Sequence, residues 1–312
     1  MKKKIFISGL LNFETILDVK EFPIYYFPID YPFYGINSSV SGTAFNISKA
    51  LTTLGDKVEL SSHVGNDLLG RTIINEAKKA KINTDNIKQT LLQTPNTVVL
   101  VDRSQNVQTY CDLKNVQEIL SKPEEEKEKI EESDLVVLCN SNFNRPLLKL
   151  AKDLGKTVAT DVHIIGDLYD DFNREFLENS DIVFLSERGL KGKVYEDFLI
   201  DLYNIYHNKI IVIGEGRVGA MILDAAKRVI YHIDAITLTN VVNTVGSRDA
   251  LFSSFLHFYL KGCDSLDALK YAEIFTSYKI GVSGSAEGFL TEKEILAKAK
   301  DVDFAVYKIC EF

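Results

Sequence analysis

The chain has 312 residues, of which 46% are hydrophobic and 26% are charged, and its formal net charge is −8 at pH 7. This length supports a large hydrophobic core without disulfides or metal, and an acidic chain lacks the clustered Lys and Arg with which proteins bind a nucleic-acid backbone. The four cysteines are scattered and form no CxxC pair, which predicts a protein of the reducing cytoplasm. No apolar run is long enough to span a membrane, so we expect a protein that binds neither nucleic acid nor membrane.

The first part of the chain alternates between short apolar runs and amphipathic segments. Lys4–Leu11 predicts a buried strand, and Asn12 and Glu14 follow at its C-terminal end, where open α/β sheets bind ligands. Ser41–Gly55 predicts a helix that ends at its final glycine, and Lys57–Ser62 predicts the next strand. This alternation predicts a mainly parallel sheet covered by helices on both faces.

Two segments interrupt the alternation. Phe22–Tyr34 is crowded with aromatic residues and prolines, so it is either a set of edge strands or a loop whose rings cover a small sheet, or else a lid or subunit contact. Thr97–Asp102 and Val107–Cys111 predict a hairpin. Together with residues near 13–37, this hairpin predicts a small sheet separate from the main one.

The alternation resumes in the second half of the chain. Lys122–Asp134 is rich in Glu and predicts a helix with a solvated face, to which no function is assigned. Further strands are predicted at Leu135–Cys139, Thr157–Asp161, Asp181–Leu185 and Lys209–Ile213, with a helix at Arg145–Leu154. The five histidines show no ligand spacing and are interpreted as structural or surface residues: His63, His163, His207, His232 and His257.

A literal GxGxxG occupies Gly214–Gly219, directly after a predicted strand, and Asp234 stands at the spacing of a ribose-binding acid. This pattern would indicate a dinucleotide-binding enzyme if a helix followed the glycines. However, Val218–Leu223 and Val229–Ile233 predict a hairpin there instead.

The most informative stretch is a glycine-containing turn that leads into a nearly all-apolar helix ending at Leu260. Such a helix is normally buried, and the N–H groups at its start form an anion site. Asp249 lies at the junction, where its charge would repel a bound anion, but where it could accept the proton of a hydroxyl that attacks a phosphoryl group. The alternative interpretation is that Asp249 is the N-cap of a core helix.

This stretch resembles the C-terminal signature of the ribokinase-like (PfkB) family of carbohydrate kinases, which usually reads Asp-Thr-x-Gly-Ala-Gly-Asp. Thr244, Gly246 and Asp249 match the signature, whereas Asn243, Ser247 and Arg248 replace its first Asp, its Ala and its second Gly. The region 41–70 resembles the N-terminal signature of the same family. The matching residues there are Gly42, Asn46, Leu51, Leu54, Gly55, Val64, Gly65, Asp67 and Gly70.

The resemblance implies an α/β ribokinase-like fold, with a mainly parallel sheet sandwiched by helices, in a single domain over residues 1–312. It also implies a small β-sheet lid from about 13–40 and 95–113. The implied activity is transfer of the ATP γ-phosphoryl group to a hydroxyl of a carbohydrate or sugar phosphate, with Mg²⁺, and a monovalent cation is left open as a further cofactor. A nucleoside kinase and a catalytically weak sugar-binding pseudokinase are the alternatives, and a homodimer formed through the lid is also left open.

The resemblance also assigns roles by position, and none of these residues is assigned as a metal ligand. Asp249 is the implied general base, and Gly246, Ser247 and Arg248 form the implied anion hole. The implied sugar-binding residues are Asn12, Glu14, Gly42, Asn46 and Asn140. The implied nucleotide-binding residues are Ser186, Gly214, Gly216, Gly219 and Thr244.

Two substitutions depart from the family pattern. Ser186 and Gly189 occupy the positions of the family's Asn-x-x-Glu motif, so the part that organises magnesium is degraded. Arg248 replaces a glycine, and would carry about 1–3 kcal/mol of backbone strain if it retained a glycine conformation. Its guanidinium either reaches the charge on the phosphoryl group or pairs with Asp249.

Overall fold

The computed structural model describes residues 2–312. The strands are β1 (Lys4–Ser8), β2 (Asn12–Asp18), β3 (Ile36–Ser41), β4 (Lys57–Gly65), β5 (Asn83–Leu91), β6 (Asn96–Val101), β7 (Val107–Asp112), β8 (Leu135–Leu138), β9 (Val158–Asp161), β10 (Ile182–Ser186), β11 (Ile210–Gly214), β12 (Gly219–Asp224), β13 (Val229–Asp234) and β14 (Val306–Glu311). The α-helices are α1 (Thr43–Leu54), α2 (Leu68–Lys79), α3 (Pro123–Glu131), α4 (Arg145–Asp153), α5 (Arg174–Glu178), α6 (Tyr195–Tyr206), α7 (Ser247–Leu260), α8 (Ser265–Lys279) and α9 (Glu292–Lys298).

The main sheet contains ten strands in the order β14-β13-β12-β11-β10-β9-β8-β1-β4-β5. From β11 to β5 every neighbouring pair is parallel, whereas β11, β12, β13 and β14 pair antiparallel. Parallel neighbours need crossover connections, and helices provide most of them here. The predicted α/β architecture with a mainly parallel sheet is therefore confirmed.

Two hydrophobic layers cover the faces of this sheet. Successive side chains of a strand point to opposite faces, so Ile5 and Ile7 pack on one layer and Phe6 packs on the other. Helices α1, α2, α7 and α8 form the first layer, and α3, α4, α5 and α6 form the second. Helix α7 lies between the sheet, α1 and α8, and this burial explains why its sequence is apolar on all sides.

A separate four-stranded sheet has the order β3-β2-β6-β7, which confirms the predicted small sheet. The segment between β2 and β3 contains no strand, and its rings do not cover the small sheet. Tyr26 is 91% exposed and Tyr34 is 99% exposed, so the interpretation of these rings as a sheet cover was wrong.

One further sequence prediction needs correction. The first strand ends at Ser8 rather than Leu11, because the chain leaves the main sheet to enter β2 of the small sheet.

The predicted solvated helix face at Lys122–Asp134 is confirmed, since Glu124, Glu125, Lys127 and Glu128 are exposed. Glu126 of α3 is fully buried on the opposite face. Its Oε1 accepts hydrogen bonds from Ser61 Oγ and from Lys88 Nζ, both at 3.0 Å. Glu126 lies four residues before the buried Ile130, so both side chains share the inward face of the helix.

The predicted end of α1 at Gly55 is confirmed, since this glycine takes a left-handed conformation. Asp67 caps α2 by accepting a hydrogen bond from the Gly70 N–H, and Thr291 and Glu294 form a capping box at the start of α9. None of the helices within residues 2–312 is both long and apolar enough to cross a lipid bilayer.

Candidate active site

The start of α7 is built around Gly246. This residue is the N-cap of the helix, with φ 80°, and a Cβ placed on it would lie 2.1 Å from the Ser285 carbonyl oxygen. Only glycine fits both the backbone conformation and the space. Asp249 lies in the first turn of α7, so the interpretation of Asp249 as the N-cap was wrong.

The N–H groups at this helix start are only partly free. The Ser247 N–H donates to the Thr244 carbonyl at 3.1 Å, which removes it from the predicted anion hole. The N–H groups of Arg248 and Asp249 donate to no acceptor among residues 2–312. The helix therefore offers the N–H groups of these two residues to an anion, with the partial positive charge of a helix N-terminus behind them.

The Asp249 side chain lies beside these N–H groups and is 8% exposed. Its Oδ2 accepts a hydrogen bond of 2.7 Å from Asn46 Nδ2, which α1 supplies. Burial raises the pKa of Asp249 to about 6, although the charge of Arg248 and the Asn46 hydrogen bond lower it. A carboxylate that titrates close to neutral pH suits a general base.

Glu14, on strand β2 of the small sheet, is a second buried acid near Asp249 and Asn46. It is 6% exposed, and burial raises the pKa of its carboxyl group, although hydrogen bonds with Ser285 and Ser41 lower it. The Ser285 and Ser41 hydroxyl oxygens lie 2.8 Å apart. Ser41 Oγ also lies 3.5 Å from Asn46 Nδ2, so hydrogen bonds connect the β2 side chain to the partner of Asp249.

Three of these buried side chains carry an acceptor oxygen without a donor among residues 2–312: Asn12 Oδ1, Glu14 Oε1 and Asn46 Oδ1. Buried polar atoms in folded proteins almost always have a hydrogen-bond partner. A ligand with several hydroxyl groups would supply such donors. Gly42 precedes α1 at φ 105°, where a Cβ would lie 2.4 Å from the Leu10 carbonyl oxygen, so the chain passes too closely for another residue.

Asn140 makes its hydrogen bonds outside this group. Its Nδ2 donates to Asn173 Oδ1 at 3.0 Å and to the Val162 carbonyl at 3.4 Å. It has no hydrogen bond to Asn12, Glu14 or Asn46. The structure brings together four of the five predicted sugar-binding residues, and Asn140 belongs to the neighbouring strand ends.

The conformation and partner of Arg248 differ from two sequence predictions. The residue lies within α7 and is not among the residues with positive φ, so the expected glycine-like strain is absent. Its Nε donates to Asp161 Oδ2 at 2.6 Å, and its terminal nitrogen contacts His163 Nδ1. The guanidinium is paired with Asp161 and not with Asp249, whereas its predicted approach to a phosphoryl group stays a prediction.

Sequence reasoning missed Asp161 and His163 as site residues. Burial and the charge of Arg248 lower the pKa of His163 to about 4, so its ring is neutral at pH 7 and Nδ1 accepts from the guanidinium. The available signal was position, because Asp161 ends the buried strand β9 and His163 follows it. Ligand-binding residues collect at the carboxyl ends of such strands.

Of the predicted nucleotide-binding residues, Ser186 and Gly214 end β10 and β11, Gly216 lies in the connection to β12, Gly219 lies at the start of β12, and Thr244 lies in the turn before α7. Strands β10 and β11 are parallel neighbours, and Ser186 lies in register with Gly214. Gly219 opens β12 at φ 135°, where a Cβ would lie 1.9 Å from the Ile233 carbonyl oxygen. The GxGxxG glycines therefore lead into a hairpin rather than a helix, as predicted, and the dinucleotide-binding interpretation is rejected.

Comparison with known proteins identifies the family. The model of the "pfkB family carbohydrate kinase" matches residues 2–292. The chain belongs to the pfkB family. Its enzymes are ATP-dependent phosphotransferases that act on carbohydrates or nucleosides.

Solved structures of several kinases share the fold of this chain. A microbiome-derived acarbose kinase has a TM-score of 0.85 and 21% identity, over 96% of this chain and all (100%) of that chain. Arabidopsis thaliana ribokinase, solved with ribose and ATP, has a TM-score of 0.77 and 19% identity, over 96% and 99% of the two chains. Methanocaldococcus jannaschii nucleoside kinase has a TM-score of 0.77 and 20% identity, over 97% and 100%.

Members of the pfkB family typically use Mg²⁺ with ATP. The residues of this chain fit a magnesium site only if the nucleotide supplies most of the ligands. Gly189 leaves no room for the family's glutamate, because a Cβ there would lie 2.2 Å from the Ile165 carbonyl oxygen. No group of three or more His, Cys, Asp or Glu side chains within residues 2–312 is arranged to hold a metal.

Two acids lie at the glycine turn: Glu215 within it, and Glu187, whose Oε1 would lie 3.5 Å from a Cβ placed on Gly216. Burial and the nearby Glu187 raise the pKa of Glu215 to about 7. Magnesium commonly binds to one or two carboxylates together with substrate phosphates and water. The residues therefore fit a magnesium ion that the nucleotide phosphates would mainly hold, for which Glu187 would be an available carboxylate.

Proposed function

We propose that this pfkB-family enzyme transfers the γ-phosphoryl group of ATP to a hydroxyl of a carbohydrate or sugar phosphate, with Asp249 as the general base. One observation carries the proposal. Asn46 holds the Asp249 carboxylate at 2.7 Å beside the free N–H groups of the first turn of α7. A proton acceptor thus adjoins a place where the charge of a transferring phosphoryl group is stabilised.

The roles of the other residues follow from this arrangement. The acceptor sugar lies against Asn12, Glu14 and Asn46, whose unpaired oxygens accept hydrogen bonds from its hydroxyl groups. The adenine nucleotide lies along the ends of β10 and β11 toward Thr244. Its proposed contacts are Ser186, Gly214, Gly216, Gly219 and Thr244. Bound magnesium neutralises charge on the nucleotide phosphates.

The unpaired acceptors favour a substrate that carries several hydroxyl groups. Three buried oxygens without donors suit a sugar and equally the ribose of a nucleoside, so the preference for a carbohydrate follows the description of the family. The names of the similar structures include both classes, since they are an acarbose kinase, a ribokinase solved with ribose and a nucleoside kinase.

The experiment is a screen of sugars, sugar phosphates and nucleosides for ATP-dependent phosphorylation by the wild type, Asp249→Asn and Asp201→Asn. Asp201 is an exposed residue of α6, so its variant controls for loss of one negative charge. We expect a carbohydrate substrate, and a kcat for Asp249→Asn that is lower by about 10²-fold or more, because a general base contributes that much. The KM for ATP and the circular dichroism spectrum should change little.

Other outcomes decide against the proposal. Phosphorylation of nucleosides alone would make the protein a nucleoside kinase. Unchanged turnover in Asp249→Asn would remove the base assignment. Absence of transfer while calorimetry shows that both ATP and a sugar bind would indicate a sugar-binding pseudokinase.

A further inference from the structure

Lys279 is a fully buried lysine that the proposed mechanism does not use. It is the last residue of α8, and its exposed fraction is 0%. Its Nζ donates to the carbonyl oxygens of Asn243, at 3.3 Å, and of Val245, at close range. These carbonyls flank Thr244 in the turn that leads into Gly246 and α7.

Stability alone explains this lysine poorly. No carboxylate within residues 2–312 lies within ion-pair distance of Nζ, so two neutral carbonyls are its hydrogen-bond partners. Burying an ammonium group without a paired carboxylate costs several kcal/mol by general estimates, and an apolar side chain of the same length would avoid that cost. The charge therefore indicates a role in the adjoining turn.

The turn is held from two directions. The N–H groups of Val242 and Asn243 donate to the Ile280 carbonyl, at 2.8 and 3.1 Å, and Asn243 Oδ1 accepts from the Val245 N–H at 2.7 Å. The carbonyls of the same turn face the ammonium group. A trans peptide is planar, so its C=O and N–H point in opposite directions. Because Lys279 holds the Val245 carbonyl, the Gly246 N–H points away from the lysine.

We propose that Lys279 is a positioning residue whose ammonium group is a built-in cation for this turn, in place of a free monovalent cation. It fixes the carbonyls of Asn243 and Val245 and thereby the direction of the Gly246 N–H at the proposed phosphoryl site. Main-chain carbonyl oxygens also coordinate free monovalent cations. The residues here do not fit such an ion, because the ammonium group already lies between the carbonyls. This inference rests on the proposed function.

The electrostatic surroundings are consistent with a charged lysine at neutral pH. Burial lowers the pKa of Lys279 to about 8, and the carboxylates of Glu14, Asp249 and Glu287 oppose this change. These three acids are the titratable groups that face the ammonium group from β2, from α7 and from the segment after α8. Below that pKa the turn keeps its cation.

The first test needs no variant. We would measure wild-type kcat and KM for ATP at constant ionic strength with K⁺, Na⁺, NH₄⁺ or tetramethylammonium as the sole monovalent cation. Equal values, within about twofold, are expected, because the built-in cation makes a free one unnecessary. Stimulation of about tenfold or more by K⁺ or NH₄⁺ over tetramethylammonium would overturn the proposal.

The second test is rescue of Lys279→Met, with Lys270→Met as the control on the same helix, since Lys270 is a partly exposed lysine paired with Asp267. We expect Lys279→Met to lose about tenfold or more in kcat, and K⁺ or NH₄⁺, but not tetramethylammonium, to restore part of it. Thermal stability of this variant should also rise with K⁺ or NH₄⁺, and that of the other two proteins should not.

The two readouts separate this inference from the proposed function. If the wild type phosphorylates no acceptor, the proposed function fails, and the cation-dependent stability of Lys279→Met still decides the role of the lysine. Unchanged kcat in Lys279→Met, or a loss that no small cation restores in activity or stability, would overturn the inference. If the variant does not fold, the wild-type cation series decides alone.

Discussion

Two consecutive residues in the first turn of α7 form hydrogen bonds with side chains from different elements. Asp249 accepts from Asn46 of α1, whereas Arg248 donates to Asp161 at the end of β9. Successive residues of a helix point about 100° apart, so neighbours in sequence reach different elements. The separation leaves the proposed base unblocked by the adjacent arginine.

The raised pKa of Asp249 predicts a pH-dependent stability difference. The pKa is 3.8 for an ordinary Asp and about 6 here, so between these values the folded state binds more protons and loses stability as the pH rises. Asp249→Asn lacks this loss, and its free energy of unfolding should exceed that of the wild type by up to about 3 kcal/mol above pH 6. Urea denaturation across the pH range would measure it, and a constant difference would contradict the raised pKa.

The Arg248–Asp161 pair predicts strong coupling in a double-mutant cycle. Asp161 is 1% exposed, so removing its partner with Arg248→Met leaves a buried charge and should cost about 3 kcal/mol of stability. Adding Asp161→Asn should recover part of that loss, with a coupling energy of about 2 kcal/mol. The exposed pair Arg174–Asp171 is the control, with an expected coupling below about 1 kcal/mol. Additive effects at the buried pair would show that another group neutralises Asp161.

At the level of elements, strand β2 joins the site to the small sheet. Its first residues include Asn12 and Glu14, and its far end leads into the exposed aromatic segment Phe22–Tyr34. An open cleft of about 370 Å³ lies beside that segment, and its lining includes Tyr31, Phe33, Arg103 and Val242. The aromatic segment thus borders a cleft that reaches the turn before α7, although its action as a lid remains a prediction.

The lid interpretation predicts a change in hydrogen exchange. Closure over a bound sugar would bury the segment Tyr25–Tyr34, so its amides should exchange more slowly when the sugar is present. The internal control is the turn between β12 and β13, which lies at the end of β12 away from the glycine turn. Its rate of hydrogen exchange should not change when the sugar is present. Unchanged exchange in the aromatic segment, at sugar concentrations where calorimetry shows saturation, would favour a fixed interface instead.

At the level of the whole molecule, the aromatic segment concentrates exposed apolar side chains in one stretch of the chain. Tyr25, Phe27 and Phe33 are 73%, 74% and 86% exposed, in addition to the two tyrosines described above. Contiguous exposed apolar surface of this kind marks interaction sites in soluble proteins. A homodimer through the small sheet would cover it, and this remains a prediction.

Sedimentation velocity would test the dimer. We expect the wild type to sediment as a dimer at micromolar concentration, and a variant with Tyr26→Ser and Phe33→Ser to sediment as a monomer, because the substitutions remove the apolar area that drives association. Tyr307→Ser is the control, since Tyr307 is 51% exposed on β14, at the opposite edge of the molecule's main sheet from β5. A monomeric wild type at all concentrations would contradict the prediction.

The sequence predicted features that local physical chemistry specifies. The apolar runs, together with local helix-end signals such as Gly55, indicated the order of most strands and helices. The turn before α7 indicated an anion site. Edge strands were harder to predict: the pattern missed β5 and β14, because an edge strand lacks the continuous apolar run of a buried one.

The sequence by itself determined the family, the α/β alternation and the place of Asp249 at the start of a buried helix, because each depends on residues that are close in the chain. Only the tertiary structure decided that Asp161 pairs with Arg248, that Glu126 is buried and that Lys279 holds the turn before α7. Each of these contacts joins residues more than 30 positions apart, so no local pattern specifies it. Lys279 looks like an ordinary basic residue at a helix end, and its role becomes visible only when the fold brings the carbonyls of Asn243 and Val245 to its ammonium group.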